Sequence, residues 1–151
     1  MFPNWDEGIK KICQSIYFQR SHEILSRPIE EQAPFPEDVR VIQPKRLDPK
    51  LASFSGYWSG RWGGLLPSQL AVEQIDSNKA KVVYTWGDDA LGKFEKGWNR
   101  LAAKVLPSGT IRFGTKAKFT FKIDVDEDVI YGVRRVGRND ISEIVMRRTQ
   151  V

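Results

Sequence analysis

The sequence is poor in the residues that most often carry catalysis or bind metals. Its 151 residues include one cysteine, Cys13, and one histidine, His22. A single cysteine excludes an intramolecular disulfide, and a structural zinc site needs a set of His and Cys ligands that this chain does not contain. Both residues precede the β-rich part of the chain described below. The sequence therefore indicates no catalytic group, no metal site and no cofactor, and it favours a non-enzymatic role.

Long apolar stretches are also missing. No run approaches the roughly 20 residues of a membrane-spanning helix, and the first residues, MFPNWDEGIKKICQ, carry acidic side chains without the apolar centre of a secretion signal. We therefore expect a cytoplasmic protein with no membrane span. Hydrophobic residues make up 40% of the chain and charged residues 28%, a balance that is typical of a globular domain.

The net charge of +5 belongs to the C-terminal two-thirds of the chain. Residues 1–50 hold eight basic and eight acidic residues, which leaves sixteen basic and eleven acidic residues in 51–151. A basic domain is suited to phosphates or anionic surfaces. The excess is mild, however, and an ordinary solvated surface also accounts for it.

The first fifty residues differ in character from the rest. Residues 6–25 repeat apolar side chains at helical spacing, which predicts a helix. Residues 26–50 then carry five prolines, a density that favours an extended linker or a strap lying on the main domain: Pro28, Pro34, Pro36, Pro44 and Pro49. We therefore divide the chain into an N-terminal extension, 1–50, and a domain, 51–151.

From Ser53 onward, short segments of alternating apolar and polar residues are separated by turns. This period of two predicts strands with one face towards a core. The predicted strands cover residues 54–62, 69–75, 79–86, 97–106, 110–113, 116–123, 128–136 and 141–149. Seven or eight short antiparallel strands predict an all-β fold, either a closed barrel or a sandwich.

The stretch FSGYWSGRWGG, residues 54–64, favours the barrel. Phe54, Gly56, Trp58, Gly60 and Trp62 share one face of the predicted first strand. Large and small side chains that alternate in this way fill the tapering interior of a small barrel, and the glycines allow the strand to bend as a barrel closes.

Gly56-Tyr57-Trp58 on a first strand resembles the Gly-x-Trp signature of the calycin superfamily, which comprises lipocalins, fatty-acid-binding proteins and avidins. More narrowly, residues 54–148 resemble small bacterial lipocalin-like domains, in the runs 56–62, 70–72 and 82–87. This resemblance implies an antiparallel β-barrel of seven or eight strands whose closed end is plugged by Trp58.

The resemblance further implies that a basic residue of the last strand packs across the Trp58 ring. Arg147 and Arg148 are both available. Arg148 has the same parity as Ile144 and Met146, which are expected to point inward, so we expect Arg148 to make this contact.

The function implied by the resemblance is the binding of a small apolar or amphipathic ligand inside the barrel. Arg100 has the parity of Trp98 and, if it faces inward, suits a carboxylate or phosphate head group. An eight-strand barrel is near the size at which side chains either fill the interior or leave a cavity, so a solid core is an equally open outcome. The predicted ligand-binding residues are Trp62, Tyr84, Trp86, Trp98, Arg100, Phe119, Phe121 and Tyr131.

The alternative function is a protein–protein interaction module with a filled barrel, in which the N-terminal helix docks on a partner or on a second copy to form a homodimer. Nucleic acid is disfavoured as a partner because Lys116, Lys118 and Lys122 lie opposite the predicted aromatic face, so that rings and charges would not meet one ligand. The acidic residues at 88–89 and 124–128 are interpreted as turns between strands.

Overall fold

A computed structural model describes residues 27–149, and the helix predicted over 6–25 lies outside them. Two single-turn helices precede the strands, α1 (Ile29–Gln32) and α2 (Pro49–Ala52). Asp48 caps α2 by accepting a 2.8 Å hydrogen bond from the Lys50 amide, which satisfies one of the free N–H groups of the first turn.

Eight antiparallel strands follow and pair in chain order, and the last strand returns to the first to close a barrel. The predicted all-β barrel is therefore confirmed. Gly63 and Gly64 take positive φ values of 59° and 75° in the turn after the first strand, so the second strand begins at Leu66 rather than at residue 69. The strands are β1 (Gly56–Trp62), β2 (Leu66–Ile75), β3 (Lys79–Trp86), β4 (Gly97–Leu106), β5 (Thr110–Phe113), β6 (Ala117–Asp124), β7 (Val129–Val136) and β8 (Asp140–Arg148).

Closure between β1 and β8 depends on a small residue. Trp58 lies opposite Arg148 and Ser59 opposite Arg147 in the ladder. A side chain at Gly60 would collide with the carbonyl oxygen of Val145 on β8. Glycine at this position therefore lets the two strands approach closely enough to join.

One end of the barrel is closed by Trp58, whose side chain is fully buried. Its indole N–H donates a 2.8 Å hydrogen bond to the carbonyl oxygen of Phe54. The guanidinium carbon of Arg148 lies 4.1 Å from the centroid of the Trp58 ring, the contact expected from the parity of β8. Arg148 also donates to the carbonyl oxygens of Ser53 and Ser55 and to the Asp128 carboxylate, so one side chain joins three segments at this end.

Residues 27–48 contact the outer surface of β2 and β3. The carbonyl oxygen of the fully buried Ala33 accepts 2.8 Å hydrogen bonds from the side chains of both Gln69 and Thr85. Further along, the Ile42 amide donates to the carbonyl oxygen of Glu73 at 2.8 Å. Because this segment covers them, the outward residues Gln69 and Thr85 are buried as well as the inward ones.

An ion-pair network fixes the same segment to β4. The Glu73 carboxylate accepts from the Arg40 amide at 3.0 Å and from the Arg100 guanidinium at 2.9 Å. Arg100 also pairs with Asp38 at 3.0 Å, and this hydrogen bond is the main cause that lowers the pKa of the Asp38 carboxyl. Charge-assisted hydrogen bonds of this kind are stronger than neutral ones.

Replacing Trp58 with alanine should destabilise the fold by about 3–5 kcal/mol, because a fully buried aromatic ring and its hydrogen bond are lost. Trp98→Ala is the matched control: this ring is 44% exposed, and its loss should cost less than about 1 kcal/mol. Urea denaturation measures both values. Equal destabilisation by the two substitutions would contradict the assignment of Trp58 as the closing side chain.

The Asp128–Arg148 pair should make stability depend on pH in the acid range. The hydrogen bond from Arg148 lowers the pKa of the Asp128 carboxyl, so its contribution is complete above the unfolded pKa of about 3.9 and is lost as the pH falls through the lower folded value. We expect Asp128→Asn to be less stable than the unsubstituted protein at neutral pH, and the difference to shrink below pH of about 4. Asp126→Asn, in the same turn, should show no such convergence.

Candidate functional site

The end of the barrel opposite Trp58 contains a solvent-accessible cavity of about 900 Å³. It lies where β1, β3 and β5 end and where β2, β4 and β6 begin. Its walls are mainly aromatic and aliphatic: Trp62, Leu66, Tyr84, Trp86, Leu101, Phe113 and Phe119. We refer to this end as the mouth of the barrel.

The aromatic rings of the mouth form one connected cluster. Phe113 and Phe119 stack with ring centroids 5.0 Å apart, and Tyr84 lies 4.8 Å from Phe119. Trp62 meets Phe119 edge-on at 5.8 Å. Phe121, which is fully buried, lies in the core cluster below them. Aromatic pairs at these distances stabilise one another. The aromatic wall of the cavity is therefore formed without a ligand.

A buried hydrogen bond fixes the orientation of two of these rings. The indole N–H of Trp62 donates to the Tyr84 hydroxyl at 2.9 Å. Burial raises the pKa of the Tyr84 phenol, although hydrogen bonds with Ser68 and Trp62 oppose this shift. Tyr84 therefore stays neutral and offers the cavity a polar group beside apolar walls.

The barrel wall is incomplete beside the mouth. β4 pairs with β5 only from Lys104 to Leu106, and no residue of β4 before Lys104 has a partner on β5. The cavity extends into this gap, where it is lined by Asn99, Ala102 and Arg112. The mouth therefore extends along the side of the barrel between β4 and β5, and we refer to this part of it as the side opening.

Basic side chains predominate among the charged residues of the cavity wall. Arg134 of β7 lies opposite Phe119 in the ladder, and its guanidinium is 3.6 Å from the Asp140 carboxylate. Lys104, Arg112 and Lys116 line the cavity near the side opening, and Asp89 is the one acidic lining residue. The described residues that line the cavity therefore include four basic side chains and one acidic side chain.

The loop between β3 and β4, residues 87–96, borders the mouth. Its two aspartates hold the loop together, since Asp89 accepts from the amides of Leu91 and Lys93 and Asp88 accepts from that of Lys96. Phe94 of this loop is 43% exposed and lines the cavity. The carboxylates are thus used as turn-forming acceptors, and an apolar ring of the loop reaches the cavity.

Four of the eight predicted ligand-binding residues line the cavity, namely Trp62, Tyr84, Trp86 and Phe119. Phe121 points inward but lies below the cavity, in the filled part of the core. The predicted inward orientation is wrong for the remaining three, Trp98, Arg100 and Tyr131.

Trp98 and Arg100 lie on the outer face because Leu101, Ala103 and Val105 occupy the inward positions of β4. Trp98 is consequently 44% exposed. Arg100 makes its ion pairs with residues outside the barrel. The apolar alternation at 101, 103 and 105 is the sequence signal for this register.

Tyr131 of β7 is also outward and is 48% exposed. Its neighbours Ile130 and Gly132 have the inward parity: Ile130 is fully buried, and a side chain at Gly132 would collide with the ring of Phe121. Gly132 thus makes room for Phe121 in the core. With glycine at the inward position, β7 lacks the apolar alternation from which its register could be recognised.

Sequence reasoning missed Phe113, Leu101 and Arg134 as cavity residues. Phe113 shares the parity of the buried Ile111 on β5, which was a usable signal. No sequence signal marks Arg134, because an inward arginine on a strand is recognisable only once the register is known.

Within residues 27–149, no cluster of His, Cys, Asp or Glu is arranged to hold a metal ion. In the same range, no helix has the length and apolar character of a membrane-spanning segment. No protein-family model matches the chain, and no curated protein sequence matches it.

Replacing Tyr84 with phenylalanine should destabilise the protein by about 1–3 kcal/mol, because the buried indole N–H of Trp62 loses its acceptor. The aromatic ring itself is retained, so packing changes little. Tyr131→Phe removes the same hydroxyl from an exposed position and should be close to neutral. Equal unfolding midpoints in urea for both variants would show that the Trp62–Tyr84 hydrogen bond does not stabilise the mouth.

Proposed function

We propose that this protein binds a small amphipathic ligand in the cavity at the mouth of the barrel. The observation that carries the proposal is a cavity of about 900 Å³ with aromatic walls. This volume is within the range of about 300–1,000 Å³ that is usual for small-molecule sites. Predominantly apolar walls with a few placed polar groups are also characteristic of such sites.

The distribution of side chains within the barrel supports a ligand over a solid core. The half near Trp58 is filled by fully buried residues such as Leu70, Ile111 and Met146. At the mouth, Trp86 and Phe119 are only partly buried against the core. Apolar area left uncovered on these rings is area that a ligand would remove from water, which is favourable at about 25 cal/mol per Å².

The charge of the cavity wall supports a ligand with a negatively charged head group. Arg134, rather than Arg100, is placed to bind this head group, because it lies on the inward face beside Phe119. A guanidinium is well suited to a carboxylate or phosphate. An apolar tail against Phe113 and Phe119, with its head near Arg134, would satisfy both parts of the site.

The likeness to calycin proteins is part of the same proposal. Three features support it: eight antiparallel strands in chain order, a Gly-x-Trp run at the start of β1, and the Arg148 guanidinium stacked on Trp58. The alternative, an interaction module that docks through an N-terminal helix, depends on residues outside 27–149 and stays a prediction, as does a cytoplasmic location.

The experiment uses dodecanoate, with retinol and haem as further probes, and follows tryptophan fluorescence. Ala117→Phe places a ring at a cavity-lining position without removing a core side chain, and it should weaken probe binding at least about tenfold. Thr120→Phe, on the outward parity of the same strand, is the control and should leave binding unchanged. Failure of all three probes to bind, or equal affinity in both variants, would contradict the proposal.

A second comparison tests the head group. Dodecanoate should bind more tightly than dodecanol, and Arg134→Gln should reduce that preference by about tenfold. Arg147→Gln removes a charge near the opposite end and should preserve it. An unchanged preference in Arg134→Gln would assign the head group elsewhere, while leaving the cavity itself as the apolar site.

A further inference from the structure

The outer surface of the barrel from β4 to β8 carries a set of exposed basic side chains that form no ion pair within the described residues. Six exposed basic side chains point outward there, and we call them the basic face: Lys104, Arg112, Lys118, Lys122, Arg135 and Arg147. Residues 27–48 cover β2 and β3 and reach Arg100 of β4, and the six side chains of the basic face stay exposed beyond them.

The strand register brings like charges together on this face. Lys104 lies directly opposite Arg112, and Lys118 lies directly opposite Arg135. Like charges at opposed positions of adjacent strands destabilise a sheet. Among residues 27–149, none of the six basic side chains forms an ion pair, so the repulsion is not relieved within the described chain.

Acidic residues are nearly absent from the same surface. Glu143 is the outward acid of β8, and Asp124 stands at the end of β6, where its carboxylate accepts from the Glu127 amide. The six basic side chains therefore outnumber the two acidic ones, and this excess of positive charge attracts an extended anionic surface.

Exposed apolar side chains are interleaved with these charges. Tyr131, Ile141 and Val145 are 48%, 49% and 44% exposed. Tyr131 lies opposite Val145 on one side and opposite Lys122 on the other. Ile141 lies opposite Arg135. Tyr131 and Ile141 thus each lie opposite a basic side chain, and Val145 lies two residues from Arg147 on the same face of β8.

We propose that the basic face docks on the surface of an anionic lipid bilayer. Apolar side chains that enter the headgroup region, together with basic side chains that meet anionic lipids, are the two contributions to such binding. Two of the three apolar groups, Ile141 and Val145, are aliphatic and offer no ring for stacking on bases, which favours a bilayer over single-stranded nucleic acid.

The basic face lies next to the opening of the cavity. Lys104 and Arg112 belong both to the basic face and to the lining of the side opening between β4 and β5. A bilayer held against this face would therefore lie beside the opening. Docking itself is independent of whether the cavity holds a ligand.

The test is co-sedimentation of the full chain with vesicles of phosphatidylcholine and phosphatidylserine, compared with phosphatidylcholine alone. We expect binding only to the anionic vesicles, and weaker binding as salt concentration rises. Lys118→Gln with Arg135→Gln should reduce the partition coefficient about fivefold for each charge removed. Lys93→Gln with Lys96→Gln changes the net charge equally in the loop before β4 and should leave it nearly unchanged.

The variant Val145→Ser distinguishes binding to a bilayer from binding to a nucleic acid. It should weaken binding to anionic vesicles and leave any binding of a single-stranded oligonucleotide unaffected. The proposal is overturned if anionic vesicles are not bound or if the oligonucleotide is bound in preference to the vesicles. It is also overturned if the double variant at Lys118 and Arg135 and the double variant at Lys93 and Lys96 lose the same affinity for anionic vesicles.

Discussion

The contact between Arg148 and Trp58 is the interaction on which the barrel depends. The guanidinium carbon of Arg148 lies 4.1 Å from the centroid of the Trp58 ring. The same guanidinium donates to two carbonyl oxygens just before β1 and to the Asp128 carboxylate. The first strand, the last strand and the turn before β7 are therefore held by one side chain. A cation stacked on an aromatic ring gains most when water is excluded, and here the other face of the ring is packed in the core.

The closed end in turn determines where a cavity can exist. A fully buried indole plugs the end of the barrel at which β1 begins, and the residues above it fill the interior as far as Phe121. The remaining space lies at the mouth, where the β4–β5 ladder is only three residue pairs long. Aromatic rings there stack on one another and on Phe121, and Trp86 and Phe119 remain only partly buried.

The sequence predicts the barrel well because alternation is a local property. It also predicts the Trp58–Arg148 contact through parity and the calycin resemblance. For β4, the apolar alternation at 101, 103 and 105 does indicate the inward face. In β7 the inward Gly132 removes the alternation from which the inward face could be recognised. The register of Tyr131 is therefore a tertiary property.

Arg100 and Arg134 show the same limit for the candidate site. Both are arginines on strands, and their sequence neighbourhoods do not separate them. Arg100 meets Asp38 and Glu73 only because an extended segment crosses the outside of the barrel, a contact between residues far apart in the chain. Arg134 has the inward parity of Gly132, where a side chain would collide with the ring of Phe121. The inward position of Arg134 is thus recognisable only after the core has been placed.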